Sequence, residues 1–171
     1  RIWDNAQTAS DDHPYLDRKQ VRAHGVRIAQ DGRLMVPLYD ESYKLSSLQY
    51  IDGSGGKIYH RGGRVTGCYF ALGMPSDTIY IAEGFATAAT IREVTGQMVI
   101  TAFSASNLPL VAGTIREQYG QAQRIVIVAD NDHSGVGLAK AHEAAAKHAA
   151  LVVSPPESGD ANDYHNSGQD L

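Results

Sequence analysis

The sequence predicts an α/β protein in which a mostly parallel sheet over residues 77–171, with helices on both faces, follows a small α+β subdomain with an antiparallel sheet over residues 1–76. Three observations predict it. After Asp77, short β-branched runs alternate with stretches of helical periodicity, the order that right-handed βαβ crossovers turn into a parallel sheet. Before Gly73, the apolar runs are separated by Asp-Gly, Ser-Gly-Gly and Gly-Gly turns, as in hairpins. Between the two textures stands Gly73-Met74-Pro75-Ser76-Asp77, a turn-rich break.

His13-Pro14 opens an expected helix through Tyr15, Leu16, Val21 and His24, which Gly25 stops. Strands are expected over 33–38, 45–51, 57–60 and 68–71, all assigned to the antiparallel sheet, with Pro37 suited to an edge or strand end. The second half should begin with a strand at about 78–82 and a helix over 84–95, closed by Gly96. A strand at 98–103, a helix near 108–119, a strand at 124–129, an Ala-rich helix at 135–149 and a last strand near 151–154 complete the pattern.

At 171 residues and 43% hydrophobic, the chain can bury a real core. No apolar run approaches a membrane span and no signal-peptide pattern opens the chain, so a soluble, cytoplasmic protein with no membrane partner is expected. Cys68 is the single cysteine, which excludes an internal disulfide and a Cys-rich zinc module and reads as an inert buried thiol. The seven histidines show no metal-ligand spacing. Arg1 in place of an initiator Met, and an acidic loop just before Leu171, lead us to expect a fragment of something larger. The net charge of −4 is unevenly spread: ten Lys/Arg against eight Asp/Glu up to Gly73, five against eleven beyond it. This pattern permits a basic groove beside an acidic site that binds divalent cations.

The acids of the second half fall where chemistry is expected. In an open α/β sheet the carboxyl ends of parallel strands line one edge, so acids distant in sequence converge there. Glu83-Gly84 follows the first strand, and Gly84 is read as permitting a tight turn and close ligand approach to a helix N-terminus. Asp130-Asn131-Asp132 follows the third, with Gly135 at the next helix start offering an amide to phosphate; alternatively, Asp132 or Ser134 simply caps that helix. Asp160-Ala161-Asn162-Asp163 follows the last strand, in a composition any surface turn also uses. Hard divalent ions prefer such oxygen donors, and Mg²⁺, or Mn²⁺ in its place, is the implied cofactor. Asn107 is read as a helix N-cap or as a polar contact to a nucleotide. In the first half, Lys57, Arg61 and Arg64 surround Gly62-Gly63 and are candidates to neutralise backbone phosphates, while Tyr50, Tyr59 and Tyr69 offer stacking faces.

Glu-Gly after the first strand, Asp-x-Asp after the third and a final acidic loop resemble the TOPRIM domain shared by bacterial primases, topoisomerases and some nucleases, over about residues 77–165. Within that superfamily the chain most resembles primases of conjugative plasmids and satellite phages. The resemblance rests on Glu83-Gly84-Phe85-Ala86-Thr87-Ala88, on Ala102-Phe103 with Asn107-Leu108, and on Asp160-Ala161-Asn162-Asp163. His13-Pro14-Tyr15-Leu16, Leu34-Met35-Val36-Pro37-Leu38, Leu48-Gln49-Tyr50-Ile51 and Gly62-Gly63 extend it across the first half.

That resemblance implies a DNA primase catalytic core, which transfers nucleotides from nucleoside triphosphates to a primer on a single-stranded DNA template. It implies Asp130, Asp132, Asp160 and Asp163 as metal ligands and Glu83 as general base, with Lys57, Arg61, Arg64, Gly84, Asn107 and Gly135 as nucleotide or nucleic-acid contacts. The zinc-binding and helicase-like modules of such primases are absent from these residues and are expected elsewhere in the full-length protein. A TOPRIM nuclease, or a nucleic-acid-binding module without turnover, is the alternative. An aspartyl-phosphate phosphatase would use a motif like Asp130-Asn131-Asp132 after its first strand, whereas two βα units precede it here.

Overall fold

A computed structural model describes all 171 residues. The chain forms two compact units, Arg1–Phe70 and Ala71–Leu171. No helix in either is long and apolar enough to cross a membrane.

The first unit carries a five-stranded sheet in the order β1-β2-β3-β4-β5: Gln7–Thr8, Arg27–Ile28, Leu34–Tyr39, Leu45–Ile51 and Lys57–Tyr59. Every pairing is antiparallel. Pro37 is tolerated inside β3 opposite Leu48, close to the register shift at Leu38/Tyr39. Met35, Leu48 and Tyr50 form a buried cluster against which Trp3, Ala6, Ala29 and Leu45 pack. Helix α1 is shorter than expected, Pro14–Lys19. Gln20 turns left-handed (φ 51°), and the Ala23 amide donates to Asp11 Oδ1 at 2.7 Å, drawing the following residues off the helix axis. His13 fixes the other end, accepting from the Tyr15 amide at Nδ1 and reaching the Gly32 carbonyl with Nε2.

The second unit holds five strands in the order β10-β9-β7-β8-β6: Leu151–Val153, Arg124–Val128, Thr78–Ala82, Met98–Thr101 and Phe70–Leu72. The β10-β9, β9-β7 and β7-β8 pairings are parallel. One expectation is corrected here: β6 joins this sheet beside β8, not the antiparallel one, although Tyr69 still bridges Tyr39. The two compact units join between Phe70 and Ala71, a few residues ahead of the turn-rich break at Gly73–Asp77.

Helices α2 (Phe85–Thr95), α3 (Leu108–Tyr119) and α4 (Val136–His148) connect the parallel strands. The path from β7 to β8 runs one way across the sheet, and those from β8 to β9 and from β9 to β10 run the other. Right-handed crossovers therefore put α2 on one face and α3 with α4 on the opposite face. A short fifth helix, α5 (Ala161–Asn166), packs on α2. Ile79, Ile81, Ile100 and Ile127 are fully buried between these layers. Arg116, also buried, closes the far end of the α3/α4 layer, because its guanidinium donates to the carbonyls of Gly120, Gln121, Gln123, His148 and Ala149.

Candidate active site

Strand order reverses between β7 and β9, the place where an open α/β sheet presents a crevice beyond its carboxyl ends. In register, Ala82 faces Val128 there. Glu83 is thus delivered immediately past β7, and Asp130 two residues past β9, on neighbouring strands. Gly137, buried in the first turn of α4, is packed between them. A Cβ built on it would lie 2.6 Å from Glu83 Oε1 and 3.2 Å from the Asp130 carbonyl oxygen. Only a residue without a side chain lets the helix come so close to Glu83. Glu83 Oε1 and Asp130 Oδ1 are both sealed from solvent. Glu83 and Asp130 therefore stand at adjoining strand ends, each with a carboxylate oxygen out of solvent, and a divalent cation would offset the cost of burying such charge.

The Asp160 loop is stitched to the Asp130 strand end by main chain. Asn131 and Gly159 exchange hydrogen bonds of 2.9 and 2.8 Å, and the Asn131 amide group donates to the Pro155 and Glu157 carbonyls. Asp160 then caps α5, its Oδ1 accepting from the Asp163 amide at 2.8 Å. No three His, Cys, Asp or Glu side chains stand close enough to form a complete metal cage. Mg²⁺ commonly uses only one or two protein carboxylates and takes its other ligands from water and substrate phosphates. Asp130 at its strand end, with the Asp160 loop tied alongside through Asn131 and Gly159, fits that mode.

The other expected site residues are placed as follows. Asp132 is exposed, and its Oδ1 accepts from the Ser134 hydroxyl at 2.6 Å and from the Ser134 and Gly135 amides. The Ser134 hydroxyl above all, helped by those amides and the neighbouring His133, holds its carboxyl below the usual range against the opposing effect of burial. The Gly135 amide, expected to meet phosphate, is thereby already engaged, while Gly135 itself takes the left-handed conformation (φ 64°) that suits glycine. Asp163 is exposed on α5. Gly84 has extended backbone (φ −104°, ψ 154°), open to any residue, so the tight-turn reading is corrected; it begins α2 without a side-chain cap. Asn107 occupies the N-cap position of α3 but caps nothing. It is buried, and its Nδ2 donates to the Ala102 carbonyl at 2.8 Å, holding the chain just past β8.

Lys57, Arg61 and Arg64 lie on the exposed surface of the first unit. Arg64 is already ion-paired, 2.6 Å from Glu41 and 3.8 Å from Asp40. Of the three tyrosines, Tyr69 and Tyr50 are buried, and Tyr50 bonds His60 through its hydroxyl; Tyr59 alone is exposed. Sequence reasoning quoted Asn162 within the acidic loop but gave neither it nor Thr90 a role, and the structure joins the two by a hydrogen bond of 2.8 Å. Their significance depends on α2 meeting α5, which no local pattern announces. A cavity of about 380 Å³ also opens on this unit, lined by Tyr80, Ile91, Val126, Val153 and Tyr164. It is mostly apolar, with Arg124 and Asp170 at its lining, and none of Glu83, Asp130, Asp132, Asp160 or Asp163 borders it.

Comparison with known proteins agrees with this geometry. A family model described as Toprim domain matches residues 78–170. Two Escherichia coli proteins named DNA primase TraC are similar: one is 34% identical over 146 residues, 77% of this chain and 14% of that protein. The other is 29% identical over 126 residues, 70% of this chain and 9% of that protein. The chain therefore spans only a small part of the curated relatives it matches. Among solved structures, the primase fragment of the bacteriophage T7 primase-helicase protein superposes with a TM-score of 0.72 at 19% identity, covering 97% of this chain and 72% of that one. A DnaG primase catalytic domain bound to ssDNA gives 0.59 at 10% identity, covering 96% and 63%. The fold is that of primase catalytic fragments, and by its acids, strand order and sequence the chain belongs to the Toprim family.

Proposed function

We propose that this chain is the catalytic core of a DNA primase, joining nucleotides on a single-stranded DNA template. The observation that carries the reading is the delivery of Glu83 and Asp130 to adjacent strand ends at the strand-order reversal, with Gly137 packed against the Glu83 carboxylate and the Asp130 main chain. The 34% identity to a protein named DNA primase TraC supplies the chemical class.

Asp130, Asp132, Asp160 and Asp163 are the acids that would hold Mg²⁺ or Mn²⁺, one or two of them per ion, with water and substrate phosphates completing the shell. A bound divalent ion neutralises triphosphate charge and stabilises the departing pyrophosphate. In the transfer, the primer 3′-oxygen forms a bond to the α-phosphorus of the incoming nucleotide as the bond to pyrophosphate breaks. Glu83 accepts the hydroxyl proton. Asn107 supports this step indirectly by fixing the chain that leaves β8 beside β7. Gly84 leaves the start of α2 open to a phosphate, and Gly135 keeps the Asp132 loop turned as it enters α4. Lys57, Arg61 and Arg64 neutralise template phosphates, Arg64 by exchanging Glu41 for the nucleic acid. A helicase or zinc-binding module elsewhere in the full-length protein would choose where synthesis begins.

Incubation with single-stranded DNA, Mg²⁺ and labelled nucleoside triphosphates tests the proposal. Products longer than one nucleotide are expected, and Glu83→Gln and Asp130→Asn should each abolish them without unfolding the chain. Degradation of the DNA would instead identify a nuclease, and full synthesis by either variant would remove the assigned roles.

A further inference from the structure

We infer that Asn162 and Thr90 are positioning residues that set the Asp160 loop against the Glu83 end of the sheet, and so tune metal affinity. This rests on the metal-dependent reading above. Asn162 is completely buried on α5, two residues beyond Asp160. Its Nδ2 donates to Thr90 Oγ1 at 2.8 Å. The Thr90 hydroxyl, itself buried, donates in turn to the Ala86 carbonyl at 3.0 Å, in the turn of α2 that directly follows Glu83-Gly84. One hydroxyl is used in both directions, accepting from α5 and donating into α2, so its rotamer and the amide orientation are fixed together.

The Asp160 loop is consequently held at both ends. Upstream, Gly159 is paired with Asn131, between Asp130 and Asp132. Downstream, Asn162 is tied to the helix that starts beside Glu83. A buried amide is costly to leave without its partner, so the link persists only while α5 keeps its seat on α2. Removing it frees the loop to drift from the Glu83 and Asp130 carboxylates while leaving every acid in the chain.

The test uses the 171-residue chain with Mn²⁺ as the probe, following free Mn²⁺ by electron paramagnetic resonance, with amide hydrogen exchange over residues 157–163 as a readout free of metal. Asn162→Ala and Thr90→Val should each weaken Mn²⁺ binding roughly tenfold, as loss of a ligand-orienting partner does, and should speed exchange in the loop. The double variant should lose no more than either single one, and Thr90→Ser, which keeps the hydroxyl, should bind as the parent does. Raised Mg²⁺ should restore the variants' maximal rate of synthesis. Unchanged Mn²⁺ affinity in a folded Asn162→Ala chain would overturn the inference, as would Thr90→Ser behaving like Thr90→Val. If Asn162→Ala does not fold, the Thr90 pair decides alone. A parent chain that binds Mn²⁺ with the expected Asn162 dependence but makes no primers would reject the primase reading and leave this inference standing.

Discussion

Asn131 and Gly159 exchange both main-chain hydrogen bonds, so the residue between two acids of one loop is locked to the residue preceding the acid of another. Neither loop can move without carrying the other. Gly159 reaches this pairing with a positive φ (137°) that a side chain would strain, and the Asn131 amide adds two bonds to the same loop, so both positions matter to the link.

Gly137→Ala separates stability from activity. Alanine's advantage over glycine, about 1 kcal/mol in a helix interior, is smaller in the first turn where Gly137 stands, and its methyl group would sit 2.6 Å from Glu83 Oε1. Thermal unfolding should move little in either direction. Primer synthesis should fall by about a hundredfold, the scale of a misplacement near 1 Å.

Arg116→Ala should destabilise the second unit by about 3 kcal/mol, because charge-assisted hydrogen bonds are lost and buried carbonyls keep no donor in their place. Arg116→Lys should recover little, since an ammonium cannot span five carbonyls from two helix ends. Urea denaturation of the two variants provides the comparison.

Acid should loosen α4 through Glu143. Hydrogen bonds from Lys140 and then Lys147 lower its pKa from 4.5 to about 2. A carboxylate depressed on folding contributes stability that is fully present above 4.5 and lost as pH falls toward about 2. Glu143→Gln should flatten that part of the stability profile. The difference should shrink in high salt because the pairs are exposed.

Binding of single-stranded DNA should weaken with salt, and Lys57→Ala or Arg61→Ala should each lower the slope of log affinity against log salt by about 1, whatever the DNA sequence. Filter binding across a salt series measures it. A slope unchanged in both variants would remove those residues from the interface.

Much of the alternation in the second unit was legible because Thr78–Ala82 and Arg124–Val128 run out just before acids, and helices α2 and α3 stop at Gly96 and Gly120. Glu83 and Asp130 were legible for the same reason, each standing just past a hydrophobic strand. Asp132 was ambiguous because a loop-capping aspartate and a metal-binding one use the same residue in the same place, and here its oxygen serves Ser134 and Gly135. The left-handed turn at Gln20 has no signature, so α1 was drawn too long. Phe70–Leu72 read clearly as a strand, but its partner β8 lies far along the chain and local composition cannot name it. Helix α5 hid inside a turn-like composition, and with it the link from Asn162 to Thr90.

The placement of β6 has a practical consequence for anyone trimming the chain. A truncation beginning at Asp77, where the composition breaks, would strip the outermost strand from the Toprim sheet and bare the flank of β8. Its unsatisfied amides and carbonyls would invite self-association. A soluble, isolated Toprim unit should therefore start ahead of Phe70.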